Sequence, residues 1–346
     1  MRGVFAVNKP KGLTSAQTLE QMKRIFLKST VFSSTLERQE ASAHASTRGA
    51  SESQRRKALK KSKKLKMGHG GTLDPMATGV LIVGIGQGTK ELPSFLSGTK
   101  TYEAVALLGS STDTYDAEGM LLKTAKVDHI TERLVESCLD RFRGEIEQTP
   151  PLYSALHMDG MRLYDYAREG KPLPRPIPQR RITVSRLECT AYTHDHSYSP
   201  PKEMAKAENL IAERLIRGEN EKMETLENGG PSMKRERLAE RDESVERDVK
   251  RKRVEVKKAE EEEEAKEVDD HQEKPPAITL ECQVSSGTYI RSLVHDMGLS
   301  LGSAAHMVAL KRQTQGPFEL GKNVIEWEDI LHDNWQVQVM EGLDID

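Results

Sequence analysis

One carboxylate stands in a setting that suits chemistry. Residues 68–79 read Gly-His-Gly-Gly-Thr-Leu-Asp-Pro-Met-Ala-Thr-Gly, so Asp74 is flanked by four glycines. Glycine reaches backbone conformations closed to other residues. Pro75 biases Asp74 toward extended or turn geometry and cannot continue a regular ladder. The stretch therefore reads as a rigid loop that presents one acid. Two roles fit such an acid: a nucleophile or base, or a cap on the backbone of a tight turn. Its neighbours do not choose between them. No second acid lies close by in sequence, so the paired carboxylates of glycoside hydrolysis have no local support.

Other candidates for chemistry are weaker. Gly84-x-Gly86-x-Gly88-Thr89-Lys90 looks superficially like a phosphate cradle, but it has neither the four-residue gap of a Walker loop nor the dinucleotide spacing. It reads better as a packing turn. Cys138, Cys189 and Cys282 are far apart, and the ten histidines are scattered. Nothing has metal-ligand spacing, so no metal and no cofactor are expected. The separated thiols suit a reducing compartment.

The elements around Asp74 alternate between strand and helix patterns. Residues 3–9 and 80–85 read as buried strands, and Leu19, Met22, Ile25 and Phe26 recur at helical spacing behind Thr14-Ser15 as N-cap. A helix is expected through Leu92–Leu96, a strand over 101–108 and an amphipathic helix over 130–142. Strands are expected again at 181–189 and 278–284. Helices are expected at 292–297 and near 304–311, before a final segment with Trp327 and Trp335.

Two segments break this pattern. Residues 28–66 carry 11 Lys/Arg against 3 acids, eight of the bases in 55–66. They read as a basic, partly flexible insertion: a solvated loop, a phosphate-contacting arm or a nuclear address. Residues 197–276 are charged and poor in aromatics, which reads as a disordered or solvated helical insertion. Outside both insertions, acids slightly outnumber bases. Any affinity for nucleic acid must then come from a local patch or from the insertions. No apolar run approaches the length of a membrane span, and no signal-peptide core follows the N-terminus.

Further blocks stand in order around the Asp74 loop. They are Lys9-Pro10-x-Gly12-x-Thr14-Ser15, Lys100-Thr101-Tyr102-Glu103 and Thr149-Pro150-Pro151-x-Tyr153-Ser154-Ala155-Leu156. Leu163-Tyr164-x-Tyr166-Ala167-Arg168-x-Gly170 and Ser286-Gly287-Thr288-Tyr289-Ile290-Arg291 follow. With Gly68–Leu81 they resemble the motifs of the TruB family of tRNA pseudouridine synthases, over most of 1–190 and 278–320. The His69-Gly70-Gly71 form and the two insertions are most similar to the fungal nuclear/mitochondrial branch, which modifies uridine 55 in the TΨC loop.

The resemblance implies an α+β pseudouridine synthase fold: one catalytic domain with a mixed, mostly antiparallel sheet flanked by helices, interrupted at 28–66 and 197–276. It implies an isomerase without cofactor, in which Asp74 is the catalytic carboxylate, as nucleophile or base. Tyr102 is expected to stack on the flipped base and His69 to fill the vacated space. Arg291 is expected to pair with Asp74 and fix its direction. Tyr289 backs the site, while Lys9 and Leu310 support the pocket. Residues 153–170 resemble the family's thumb loop, which closes on RNA read by shape and splayed bases. The expected partner is tRNA through its TΨC stem-loop, with messenger RNA as a further target. No membrane is expected, the protein is expected to be a monomer, and it is placed in the nucleus, the mitochondrion or both. About 25 residues follow Lys322, so no C-terminal domain of the PUA type is expected. Two rival readings remain open: a TruB-like RNA-folding helper, and a phosphate or nucleotide binder built on 84–90.

Overall fold

The computed structural model describes residues 2–203, 274–332 and 334–344. In chain order the strands are β1 (Arg2–Lys9), β2 (Met67–His69), β3 (Thr78–Gly86), β4 (Lys100–Leu108), β5 (Ser110–Thr112), β6 (Met120–Thr124), β7 (Gly144–Gln148), β8 (His157–Met158), β9 (Met161–Arg162), β10 (Arg180–Thr193), β11 (Lys202–Glu203), β12 (Ala277–Val284), β13 (Ala305–Gln315), β14 (Phe318–Glu319) and β15 (Leu343–Asp344). The helices are α1 (Ser15–Phe26), α2 (Ser33–Ser46), α3 (Glu52–Ser62), α4 (Leu92–Ser97), α5 (Glu132–Leu139), α6 (Leu163–Arg168), α7 (Ile290–Ser300), α8 (Trp327–Leu331) and α9 (Gln336–Glu341). By contacts the chain divides into 1–220 with 275–346, and 221–274. The second unit lies outside the described residues except for Lys274. So does most of the segment expected to be a disordered insertion; its first residues, by contrast, lead into β11, which pairs with β6.

A ten-stranded sheet carries the fold, in the order β15-β1-β3-β13-β4-β12-β10-β7, with β2 added on β3 and β14 on β13. Its one parallel pair is β13 with β3; the others are antiparallel. This is the mixed, mostly antiparallel sheet with flanking helices that was expected. The apolar run of β3 is buried along almost its whole length, as suits a strand covered on both faces. No helix among the described residues is long and apolar enough to cross a membrane.

One expectation fails. Residues 305–315 are not a helix but β13, the strand between β3 and β4. The stretch Ala-His-Met-Val-Ala-Leu is apolar without a clear period, and such a run does not distinguish a buried strand from a buried helix. Pairing decides the matter: β13 matches β4 from Ala305↔Leu108 to Gln315↔Lys100, with two irregularities that let it bend.

The basic segment also takes more shape than expected. Its start and end are pinned, since Phe32 and Leu65 are buried in one cluster with Phe26 and Trp335. Between them, α2 and α3 pack against each other, with Lys63 paired to Glu40 at 3.4 Å. Trp335 joins the C-terminal segment to this corner: its ring centroid lies 4.2 Å from Phe26 and 6.0 Å from Phe32.

Trp335 is fully buried, so Trp335→Ala leaves a cavity that rigid neighbours cannot fill. The expected cost is about 3–5 kcal/mol of unfolding free energy, read from the urea midpoint by circular dichroism.

Candidate active site

The loop that carries Asp74 is held from beneath by buried donors. Lys9, at the end of β1, is fully buried. Its ammonium donates to the carbonyls of Leu13 at 2.6 Å, Pro10 at 2.8 Å and Pro75 at 3.3 Å. The Ser15 hydroxyl donates to the Leu73 carbonyl at 3.2 Å and accepts from the Leu73 amide at 2.9 Å. Thr14 caps α1 in a reciprocal box with Gln17, which leaves Ser15 free for the loop. Arg312 donates to Gly71 O at 3.2 Å and Val80 O at 2.6 Å, and Gln315 to Gly70 O at 2.6 Å.

Gly79 lets these strands meet. Its φ is +104°, and a Cβ there would sit 2.3 Å from the Arg312 carbonyl. Any side chain would force β3 and β13 apart where the loop leaves the sheet.

Arg291, in the first turn of α7, reaches this loop across 217 residues of sequence. Its Nη2 donates to Asp74 Oδ1 at 3.3 Å and to the Tyr153 carbonyl at 3.0 Å. Nη1 donates to the Thr114 carbonyl at 2.8 Å and faces Asp116 Oδ2 at 3.6 Å. Nε lies 2.9 Å from Asp74 Oδ2; its N–H is not aimed along that line, so the contact is ionic rather than a hydrogen bond. The Arg291 side chain is 6% exposed and that of Asp74 32%. One buried cation thus directs a carboxylate that still meets solvent.

A cleft of about 410 Å³ opens over Asp74. Its walls include Tyr102 from β4, Tyr289 and Arg291 at the start of α7, and Leu310 and Arg312 from β13. Among the described lining residues Asp74 is the one acid. Tyr289 is fixed by Gln148, which accepts from its amide at 2.8 Å and donates to its carbonyl at 3.0 Å. The Arg180 guanidinium lies over the Tyr289 ring, 5.4 Å from its centroid. Tyr164, beneath Arg162 and Arg168 at 5.5 and 5.1 Å, enters from the segment after β7. That segment has its own small core of Leu152, Met158, Leu163, Tyr166 and Leu173.

Of the residues expected at the site, Asp74, Tyr102, Tyr289, Arg291 and Leu310 line one cleft. Lys9 lies beneath the loop and His69 beside it in β2, neither among the lining residues. Burial, with Arg312 nearby, pushes the His69 pKa down and keeps the imidazole neutral. Burial also brings Lys9 down to about 8, against the pull of Asp74.

Sequence reasoning missed Asp116 and Arg312. Asp116 is buried; burial raises its pKa, opposed by Arg291 and by Thr114, whose hydroxyl donates to it at 2.6 Å. Its signal was slight, an acid in a loop distant in sequence. Arg312 was hidden by the helical reading of 304–311. As a strand, the alternation Leu310, Lys311, Arg312 puts the leucine and the second base on one face. Lys100 was quoted only within a motif, yet it is a buried lining cation brought down to about 8 by burial and then Arg312. Among the described residues no cluster of His, Cys, Asp or Glu could hold a metal ion.

Comparison with known proteins fits this geometry. The model for the TruB family pseudouridylate synthase N-terminal domain matches residues 56–202, and that for the tRNA pseudouridylate synthase B C-terminal domain matches 291–343. A tRNA pseudouridine synthase 4 from Schizosaccharomyces pombe is 38% identical over 99% of this chain and 86% of its own length. The protein of the same name from Saccharomyces cerevisiae is 40% identical over 93% and 79%. Pseudouridylate synthase TRUB1 of Mus musculus is 32% identical over 99% and 69%.

Lys9 makes a testable pH signature. Its folded pKa is below the ordinary lysine value, so between about 8 and 10.5 the unfolded chain binds the extra proton. Folding stability contributed by this group therefore rises with pH through that window. Wild type is expected to gain urea midpoint relative to Lys9→Met as pH goes from 8 to 10; a constant difference would refute the burial of this charge.

Proposed function

Because the chain belongs to the TruB family of pseudouridine synthases, we propose that it isomerises uridine 55 in the TΨC loop of tRNA, with Asp74 as its catalytic carboxylate. The observation that carries this is the cleft: one acid, aimed by a buried arginine, facing an aromatic ring across a space suited to a flipped nucleotide.

Uridine and pseudouridine are isomers, so the atoms balance without a co-reactant. The N1–C1′ bond breaks, the base turns, and a C5–C1′ bond forms; C5 loses a proton and N1 gains one. Asp74 acts on the sugar, as nucleophile at C1′ or as base. Arg291 holds both its oxygens, so the carboxylate meets the sugar in one orientation. A misaimed nucleophile forfeits much of the advantage of proximity.

Tyr102 offers the turned base a stacking face. Its hydroxyl lies 3.5 Å from Arg312 Nη1, which limits how the ring can tilt. Leu310 and Tyr289 close the other sides. His69, neutral beside the loop, supports the RNA stack once the base has left. The segment with Tyr164 closes over the bound arm as a thumb. To the same reading belong a monomer, residence in the nucleus, the mitochondrion or both, messenger RNA as a further target, and residues 1–346 as one catalytic domain interrupted by two insertions.

Asp74→Asn keeps the shape of the loop but removes the charge. It is expected to lower turnover on the order of 10⁴-fold or more, measured as tritium released from C5-tritiated uridine in tRNA. Filter binding is expected to find tRNA affinity within about threefold of wild type, the bulk of it coming from backbone contacts. Turnover retained by the variant would remove Asp74 from its role.

A further inference from the structure

The helical hairpin α2–α3 presents a feature that the cleft does not use. On a helical wheel of α3, Ala58, Leu59 and Ser62 fall on one side with Arg55, and Arg56, Lys57 and Lys60 on the other; Lys63 and Lys64 follow directly after the helix. Exposure follows this division except at Arg55, which is exposed. Ser62 is buried and Ala58 and Leu59 are half-buried, whereas Arg56, Lys57, Lys60, Lys63 and Lys64 are all exposed. Arg56, Lys57, Lys60 and Lys63 also border one shallow concavity, together with Glu52, Ser53 and Leu59. Lys63 pairs with Glu40; among the described residues Arg56, Lys57, Lys60 and Lys64 have no acidic partner.

The stripe is also held in place. Leu65 is buried with Phe32 and Trp335, and the Lys66 carbonyl accepts from the Gly86 amide at 2.9 Å. The hairpin is thus rooted at the far end of β3. Gly86 stands seven positions along β3 from Gly79, where the Asp74 loop ends, a span of about 23 Å.

An exposed row of cations with few acidic partners is the electrostatic footprint of a polyanion. It is rooted at the end of β3 opposite the Asp74 loop, away from the flipped nucleotide. The cleft meets the substrate's target through side-chain shape; the stripe has only charge to offer, which reads phosphates and no bases. Resting on the reading of the substrate as a folded RNA, we infer that the exposed face of α3 and the two lysines that follow it are a docking surface for the phosphate backbone of the same RNA, away from the target uridine. It measures the length of RNA helix attached to the target loop, so that a complete folded RNA is held more tightly than an isolated loop.

The test compares two RNAs: a full tRNA, and a TΨC stem-loop too short to reach α3. The variant combines Arg56→Gln, Lys57→Gln, Lys60→Gln and Lys64→Gln. Binding is titrated across a salt series. For tRNA, the slope of log affinity against log salt is expected to fall by about 3 in magnitude, somewhat under one per lost contact. For the stem-loop, affinity and slope are expected to stay as in wild type. A second variant, with the three lysines changed to arginine, keeps the charge and is expected to keep the slope on tRNA. An unchanged tRNA slope in the glutamine variant, as a nuclear address would give, overturns the inference. So does an equal loss on both RNAs, which would point to the fold or the cleft. Wild-type protein that binds tRNA but forms no pseudouridine would remove the proposed reaction instead, and the salt comparison would still decide the role of α3.

Discussion

A guanidinium taken out of water needs acceptors on every side, and Arg291 finds them in segments that sequence keeps apart. Asp74 supplies a carboxylate, the turn after β5 supplies Thr114 O and Asp116, and the segment after β7 supplies Tyr153 O. An uncompensated buried charge costs several kcal/mol, so each partner constrains the others. The acid loop, the Thr114–Asp116 turn, the base of the Tyr164 segment and α7 are therefore located relative to one atom group. The direction of the Asp74 carboxylate follows from this arrangement, because the loop that bears it could turn the side chain elsewhere.

Beneath the loop a second set of cations does a different task. Lys9 and Arg312 hold carbonyls of the glycine-rich stretch, and Gln315 adds an uncharged donor. A loop of this composition would lose much entropy on being fixed. Distributing its carbonyls among buried donors makes it rigid before substrate arrives. Burial above all, with a smaller push from Arg312, brings both Lys9 and Lys100 down to about 8. With Arg291 neutralised by two carboxylates, the surplus positive charge of the cleft sits at its Lys100–Arg312 side. A phosphodiester chain would meet a favourable potential there.

Much of this was legible in the residues. The strands with clean apolar runs, β1, β3, β4 and β12, and the helices α1 and α5 with apolar faces, stand where periodicity put them. The motifs name Asp74, Tyr102, Tyr289 and Arg291, and the fold lines one cleft with them. What failed shares one cause: it depends on who the neighbours are. Residues 305–315 form a strand because β3 and β4 wait on either side, and a local pattern does not contain that fact. Arg312 was lost with it. Sequence offers Thr14 or Ser15 as the cap; Thr14 caps, and that Ser15 serves the loop depends on Leu73 beside it. The basic insertion was expected to be partly flexible because its charges dominate; two apolar residues, Phe32 and Leu65, suffice to root it.

The position of β13 has a consequence for synthesis. Among the described residues, the ladder from β15, β1 and β3 to β4, β12, β10 and β7 passes through β13 alone. That strand is made after every long strand of the sheet has emerged. Until then the growing chain holds two half-sheets: β2 already covers part of the inner edge of β3, but the inner edge of β4 is unpaired along its length, the kind of edge that recruits other chains. The last-made long strand covers β4, joins it to β3 at Thr78–Gly79 and, in the same step, brings Leu310 and Arg312 to the cleft. A chain cut short before residue 305 would therefore be incomplete as an enzyme and also adhesive.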